Sequence, residues 1–265
     1  MSKCVRAHMR VLVAAAAATR RRFAMKKLGI IIGAALLLLL ATVPAFAGDF
    51  AVKNWRVYNV MPATSKYWDI YKAQSLPGGG LQFPFQPFET LTTGSFAVYL
   101  LANYNFDLTN KIITANFAVD VTTGTTFWTR STDCANTGVD AYVRLEFQDV
   151  AAGPYDSNDY WWSTGANSVN LSQLATYPSL GVLSISTADR SKWSNQAGKS
   201  AEDTTAPWTD WTGAIVVESP YDGFTAALKK VKEITLSFGS ECRYASGVAV
   251  SDGNGNFLLT NFTVE

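Results

Sequence analysis

Short segments in which apolar and polar residues alternate recur along this chain, and no other feature of the sequence constrains its fold as strongly. In residues 141–148, Val143, Leu145 and Phe147 alternate with polar or aromatic residues. Because successive side chains of a strand point to opposite faces of a sheet, this pattern predicts a strand with one face in a core. Gly, Asn, Asp and Pro separate such segments, as is typical of antiparallel sheets. We therefore predict an all-β fold, an antiparallel β-sandwich of the jelly-roll type.

Nine segments fit this description, and two short helices are expected beside them. Asp222 is placed to cap a helix whose apolar stripe includes Phe224 and Leu228, and a shorter helical turn begins at Asn170. The predicted strands are residues 51–57, 95–102, 112–121, 141–148, 182–187, 214–218, 234–238, 247–251 and 257–264.

Residues 1–47 have the composition of a cleavable signal peptide. Lys26 and Lys27 form a basic start, residues 28–40 are mostly apolar, and Ala45-Phe46-Ala47 is a cleavage signal before Gly48. The apolar run is short for a bilayer crossing, so we expect cleavage between Ala47 and Gly48 and no membrane span afterwards. The mature protein is then a single β-sandwich domain, residues 48–265, in the periplasm or outside the cell.

Residues 1–24 allow two interpretations. They are a mis-assigned extension, with the true start at Met25, or residues 19–23 form a twin-arginine export motif. The leucine-rich run that follows favours the first interpretation. Both predict export.

Charge and histidine content exclude several classes of function for residues 48–265. The leader holds eight of the 22 basic residues and none of the 21 acidic ones, so the remainder carries 14 basic and 21 acidic residues, a net charge of −7. Nucleic-acid binding rewards concentrated Lys and Arg, so we predict no nucleic-acid partner. The only histidine, His8, lies in the leader, which excludes a Ser-His-Asp mechanism in the mature domain.

Two cysteines remain after the leader is removed, Cys134 and Cys242. In an oxidising compartment such a pair is most simply a disulfide, and a metal site there lacks further soft ligands. Closing a loop across these 108 positions stabilises a fold by about 4 to 5 kcal/mol in the chain-entropy model.

Aromatic residues are the strongest indication of a ligand. All eight Trp lie beyond the leader, and Trp161 and Trp162 are adjacent. If both lie on a strand they face opposite sides, and on a half-buried sheet at most one belongs to the core. The other is then free to stack on the apolar face of a sugar ring, although a Trp in a sandwich more often belongs to the core.

Tyr142, Arg144 and Glu146 share the face of a strand whose other face is apolar. Thr114 and Asn116 likewise lie on the polar face of an earlier strand whose other face is apolar. If the two strands pair, the sheet presents an aromatic ring and a planar guanidinium to a hydroxyl-rich ligand. The simpler interpretation, which we favour, is a solvated outer face on which Arg144 and Glu146 form a surface pair unrelated to any ligand.

The last third of the chain resembles the closing half of galactose-binding-like jelly rolls, as found in carbohydrate-binding modules of exported bacterial proteins. The resemblance rests on residues 189–193, the helix from Gly223 to Leu228, the strand pattern of residues 231–239 and the final strand 259–264. It implies a sandwich in which structural calcium is possible, although Asn261 stands where the family commonly has an acidic calcium ligand.

Three functions follow as expectations. The first is non-catalytic binding of carbohydrate or another cell-surface ligand through Tyr142, Arg144 and either Trp161 or Trp162. The second is a glycan-cleaving enzyme, which needs two carboxylates across a cleft and no histidine. Its candidates are Glu146, Glu218, Glu233 and Glu241. The third is a structural surface protein whose aromatic residues are all core.

Overall fold

The computed structural model describes residues 54–61, 66–130, 140–149, 159–176, 180–196, 198–204, 208–209, 215–217, 222–242, 244–251 and 254–265. All of them belong to the compact unit Phe46–Glu265. The predicted leader with its cleavage site, Cys134 and Glu218 lie outside the described residues.

Strands dominate the described part of the chain, and two short helices accompany them. The helices are α1 (Leu171–Thr176) and α2 (Gly223–Leu228). The strands are β1 (Trp55–Met61), β2 (Lys66–Lys72), β3 (Gln74–Ser75), β4 (Leu81–Pro84), β5 (Phe96–Asn103), β6 (Ile112–Val121), β7 (Phe127–Thr129), β8 (Tyr142–Gln148), β9 (Tyr160–Ser163), β10 (Val169–Asn170), β11 (Gly181–Ser186), β12 (Trp193–Asn195), β13 (Trp208–Thr209), β14 (Ile215–Val217), β15 (Glu233–Gly239), β16 (Val248–Val250) and β17 (Gly255–Val264).

Two antiparallel sheets make up the sandwich. The large sheet has the order β12-β9-β8-β15-β5-β1-β2, with β10 paired to β8 and β16 joining β5 to β7. The small sheet has the order β11-β6-β17-β4-β3, and β13 pairs with β14 alone. Alternate residues of both sheets meet in one core, where the rings of Phe238 on β15 and Phe257 on β17 are 5.1 Å apart. This confirms the predicted antiparallel jelly-roll sandwich.

All nine predicted strands have counterparts, whereas the sequence did not indicate several short strands. The pattern at 112–121 coincides with β6, and the alternation at 141–148 corresponds to β8. By contrast β9 shows no alternation, because Tyr160, Trp161 and Trp162 are all buried. A strand covered on both faces lacks the periodic signal that identifies a strand with one solvated face.

Both predicted helices are present and capped as expected. The Asp222 carboxylate accepts a hydrogen bond from the backbone N–H of Thr225 at 3.1 Å, and α2 ends at Leu228. Asn170 Oδ1 accepts from the backbone N–H of Ser172 at 2.8 Å where α1 begins. Neither of these helices has the length and apolar character to cross a bilayer, and the same holds for every helical segment in the described ranges.

The strand of Thr114 and Asn116 does not pair with that of Tyr142, so the condition for a shared polar sheet face is not met. Thr114 and Asn116 lie on β6, in the small sheet, and β6 pairs with β11 and β17. Tyr142 lies on β8 in the large sheet. The two polar rows therefore belong to different sheets, because pairing follows the packing of apolar faces rather than similarity of the outer faces.

Candidate functional site

The face of the large sheet turned away from the sandwich core carries a continuous set of polar side chains. On β8 the residues between the core positions are Arg144, Glu146 and Gln148. Residues directly opposite one another on antiparallel strands share a face. Ser237 lies opposite Arg144, Thr235 and Trp162 lie on either side of Glu146, and Ser194 lies beyond Trp162. We call this set the polar face: Arg144, Glu146, Gln148, Trp162, Ser194, Thr235 and Ser237.

The polar face is buried, in contrast to the solvated outer face that the sequence favours. Arg144, Glu146, Thr235 and Ser237 are each 0% exposed, and Ser194, at 7%, is the most exposed of the set. Both sides of β8 are covered, so the alternation in its sequence separates two buried environments rather than core from solvent.

A half-buried rim surrounds this centre. Tyr142 and Tyr244 lie on one side of it, and Tyr58 and Tyr99 follow Ser237 across the sheet on the other. Tyr244 connects two parts of the site, since its ring centroid is 4.1 Å from the Arg144 guanidinium carbon and 6.4 Å from the centroid of Trp162. The rim is therefore predominantly aromatic.

Arg144 is held at the centre by backbone carbonyls and aromatic rings. Its Nη1 donates to the carbonyl oxygen of Ser240 at 3.0 Å and its Nη2 to that of Glu241 at 3.3 Å. The Tyr142 ring lies 5.3 Å from the guanidinium carbon. Burial lowers the pKa of the Arg144 guanidinium to about 10, so it still carries its positive charge at neutral pH.

Glu146 is a buried carboxyl with two hydrogen-bonding neighbours. Gln148 Nε2 donates to its Oε1 at 2.9 Å and Thr235 Oγ1 donates to its Oε2 at 2.8 Å. Burial raises the pKa of Glu146 to about 8, and these two hydrogen bonds limit the rise. Because the ambient pH is normally below that value, Glu146 is mostly neutral and its proton is held inside the protein.

Four buried polar atoms of the polar face have no hydrogen-bond partner within the described part of the chain. They are Arg144 Nε, Trp162 Nε1, Ser194 Oγ and Ser237 Oγ. Trp162 Nε1 lies close enough to Glu146 to favour its charged form, but it does not reach hydrogen-bond geometry. Buried polar atoms in proteins are normally paired with protein or ordered water, so a cluster of four on one sheet face is a candidate for ligand contact.

The adjacent indoles of Trp161 and Trp162 point to opposite faces of β9, and both are buried. Trp161 belongs to the sandwich core, where its ring lies edge-on to Phe224 at a centroid distance of 4.9 Å. This matches the core position that a Trp in a sandwich more often has. Trp162 lies on the polar face, stacked on Tyr160 at 5.9 Å. The sequence did not predict that both indoles are buried, because the prediction assumed a sheet with one face in solvent.

The rim also carries an ion pair next to the polar face. Arg56 Nη2 lies 3.5 Å from Glu233 Oε1 and donates to Asn103 Oδ1 at 3.0 Å. Burial raises the pKa of the Glu233 carboxyl, and the positive charge of Arg56 opposes that rise. Glu233 lies opposite Gln148, which makes it a diagonal neighbour of Glu146 on the same face.

The sequence analysis proposed Tyr142, Arg144, Glu146 and Trp162, which the structure places together, but not the small polar residues around them. Thr235 and Ser237 alternate with apolar residues, so the sequence predicts that they lie on the polar face of their strand. It does not predict that this strand, β15, pairs with β8. Ser194 lies on a strand of three residues with no readable pattern. As for a metal, the described residues contain no group of three or more His, Cys, Asp or Glu that could hold one.

Comparison with known proteins shows a distant likeness to a solved structure. No protein-family model matches this sequence, and no curated protein does. Among solved structures, the chain is similar to the exolytic PL7 alginate lyase AlyA5 from Zobellia galactanivorans. The two are 8% identical, the alignment covers 80% of this chain and 95% of that chain, and the TM-score is 0.25. The chemistry of the polar face therefore has to be argued from its own geometry.

Proposed function

We propose that this protein recognises a polysaccharide on the polar face of its large sheet. The observation that supports this is the cluster of four buried, unpartnered polar atoms next to aromatic rings. Leaving a buried donor or acceptor unpaired costs about 1 to 3 kcal/mol, so a ligand that supplies oxygens to these atoms offsets a cost that the free protein bears. Saccharides combine such oxygens with apolar C–H faces that stack on aromatic rings.

In this proposal, the ligand approaches the buried polar face at the half-buried rim. Tyr142 and Tyr244 are half-buried and their rings lie against the Arg144 guanidinium, so both are within reach of a ligand bound at Arg144. Both rings also offer faces against which a sugar can stack. A polysaccharide outside the cytoplasm fits the export that we infer from residues 1–47.

The first test is retention of the purified protein on a panel of immobilised polysaccharides, with a matched pair of variants. Trp162→Phe removes Nε1–H from the polar face, whereas Trp161→Phe changes an indole in the core. We expect Trp162→Phe to weaken retention about 3- to 10-fold, as for the loss of one hydrogen bond. Trp161→Phe should lower the melting temperature and leave retention unchanged. Equal effects of the two variants on retention, or no retention on any glycan, would contradict the proposal.

A second function at the same face is cleavage of the glycan, and the carboxyls of Glu146 and Glu233 support it. As diagonal neighbours on paired strands their α-carbons are about 7 to 8 Å apart, a spacing that allows the carboxyls to come within the range of about 5 to 10 Å that glycosidase carboxylates occupy. Their environments differ, since Glu146 is fully buried and mostly neutral whereas Glu233 faces Arg56. A neutral acid beside a carboxyl that contacts a cation is compatible with the arrangement of a proton donor and its partner.

Release of sugar separates cleavage from binding alone. If the protein cleaves, reducing ends accumulate in the supernatant of the retention assay, and Glu146→Gln abolishes their release while it retains the glycan. The activity should also decline as the pH rises past about 8, where Glu146 loses its proton. Retention with no reducing ends at any pH between 4 and 9 would leave binding as the function and reject cleavage.

A further inference from the structure

Arg144 is a fully buried cation that has no carboxylate in ion-pair contact among the described residues. None of the ion pairs among the described residues includes Arg144. The adjacent carboxyl on the same strand face, Glu146, is mostly neutral, because burial raises its pKa to about 8. The Glu241 side chain is exposed, so its carboxylate favours the charged guanidinium only from a distance, and its backbone carbonyl makes the hydrogen bond.

Two carbonyls and two aromatic rings compensate this charge only in part. A buried charge is normally paired, and an isolated one is strongly disfavoured. The carbonyl oxygens take one N–H of each Nη, and Nε–H, 0% exposed with the rest of the side chain, has no partner in the described protein. The guanidinium therefore keeps one buried donor for a further acceptor.

The neighbouring unpartnered atoms also favour an acceptor. Ser237 lies directly opposite Arg144, and its Oγ can donate a hydrogen bond; Trp162 Nε1, near Glu146, can only donate. A face with donors in excess and one unneutralised positive charge matches a group with several negatively charged oxygens.

We propose that Arg144 Nε and Ser237 Oγ bind an anionic group of the ligand, a carboxylate or a sulfate ester, so that the polysaccharide is an acidic one. This inference rests on the proposed function and names its substrate class. Residues 48–265 carry a net charge of −7, which repels polyanions at long range. Selective binding of an acidic glycan must therefore come from a local site.

The test compares polysaccharides that differ only in charge. Polygalacturonate and its methyl ester form one pair, and dextran sulfate and dextran form the other, so the two arms separate carboxylate from sulfate. Affinity of the full chain is measured by isothermal titration calorimetry at two salt concentrations. We expect at least one acidic member to bind 10-fold or more tightly than its neutral counterpart, with a difference that shrinks at high salt.

Three variants assign the effect to the site. Arg144→Gln should weaken binding of the acidic member about 10- to 100-fold, and Ser237→Ala about 3- to 10-fold. Ser237→Ala removes a hydroxyl without a partner, so it keeps the test valid if Arg144→Gln fails to fold. Ser184→Ala, on the exposed outer face of the small sheet, is the control and should change nothing.

The outcomes separate this inference from the proposed function. Equal binding of the charged and neutral members, weakened by Trp162→Phe, would overturn the anionic site and leave polysaccharide recognition intact. The anionic site would also be overturned if acidic polysaccharides bind selectively and neither Ser237→Ala nor a folded Arg144→Gln changes that binding. The anionic group would then bind at another place on the protein. Binding to none of the four polysaccharides would reject both.

Discussion

Two residues separated by one position on β8 show how burial gives similar surface residues different roles. Arg144 keeps its charge because a guanidinium cannot readily give up a proton, and carbonyls and rings surround it. Glu146 takes up a proton instead. Both of its hydrogen bonds can persist in the neutral form, because the Thr235 hydroxyl can accept a hydrogen bond as well as donate one. The polar face is thus positively charged at neutral pH although the domain is acidic.

Glu146→Gln should remove a pH dependence from stability. Because the folded-state pKa of Glu146, about 8, exceeds the usual value of 4.5, the folded state binds the proton more tightly. Its contribution is therefore fully present below pH 4.5 and is lost as the pH rises towards 8, by at most about 1.4 kcal/mol per pH unit. Urea unfolding between pH 4.5 and 8.5 measures this slope. Glu146→Gln should flatten it and raise stability at pH 8.

The exposed Glu202 is the matched control, and Glu202→Gln should reproduce the wild-type slope. If the free energies of unfolding of Glu146→Gln and wild type change in parallel over the whole pH range, Glu146 is ionised in the folded protein and the assignment of a neutral acid fails.

At the scale of elements, the short helix α2 depends on a capping residue and on core packing for its stability. Helix α2 has six residues, too few to be stable alone. Asp222 caps it, and the Arg190 guanidinium binds both oxygens of Asp222, at 2.6 and 3.0 Å. Phe224 anchors the helix in the core against Trp161 and Trp193.

Asp222→Ala should lower the free energy of unfolding by about 1 to 2.5 kcal/mol, from the lost cap and a partly exposed ion pair. Asp189→Ala is the control, because the partners of Asp189 in the described structure are the half-buried Lys192 and the neighbouring Ser191. Thermal unfolding followed by circular dichroism compares the two. A smaller loss for Asp222→Ala than for Asp189→Ala would show that the capping network does not hold α2.

The turn between β3 and β4 offers a second matched pair. Gly79 and Gly80 both have positive φ, at +105° and +93°. A Cβ on Gly79 would meet nothing, whereas one on Gly80 would lie 2.5 Å from the backbone oxygen of Leu259. Gly79→Ala should therefore cost about 1 to 2 kcal/mol of stability from backbone strain alone. Gly80→Ala should cost a further 1 to 3 kcal/mol from displacing β17. Equal denaturation midpoints for the two variants would contradict this turn geometry.

At the scale of the whole molecule, aromatic rings join the two sheets. Phe83 on β4, Phe238 on β15 and Phe257 on β17 lie within 5.6 Å of one another, centroid to centroid. Because β4 and β17 belong to the small sheet and β15 to the large one, this cluster holds the layers together through the middle of the core.

The predicted disulfide between Cys134 and Cys242 should add to this cohesion. Cys242 lies on the exposed turn after β15, and Cys134 is 108 positions earlier in the chain. Reduction should lower the free energy of unfolding by up to about 4 to 5 kcal/mol. Urea unfolding with and without reductant measures the loss, and peptide mapping of the non-reduced protein identifies the pair. Two free thiols at these positions in the exported protein would refute it.

The faces of the long strands could be read from the sequence, because alternation is a local consequence of strand geometry. Leu145 and Phe147 were placed in the core, and Arg144 and Glu146 opposite them, as the structure has them. The helix caps were also predictable, because a cap needs only the residues next to it.

Only the tertiary structure decided which strands meet and which outer face is covered. Ser237 and Arg144 are 93 positions apart in the chain, and they become neighbours because β15 pairs with β8. Thr114 and Asn116, which have the same local pattern as Arg144, end on the other sheet. Local geometry determines the side of a strand on which a residue lies, whereas burial depends on what packs against that side. For that reason the alternation of β8 was predictable, but the buried charge at its centre was not.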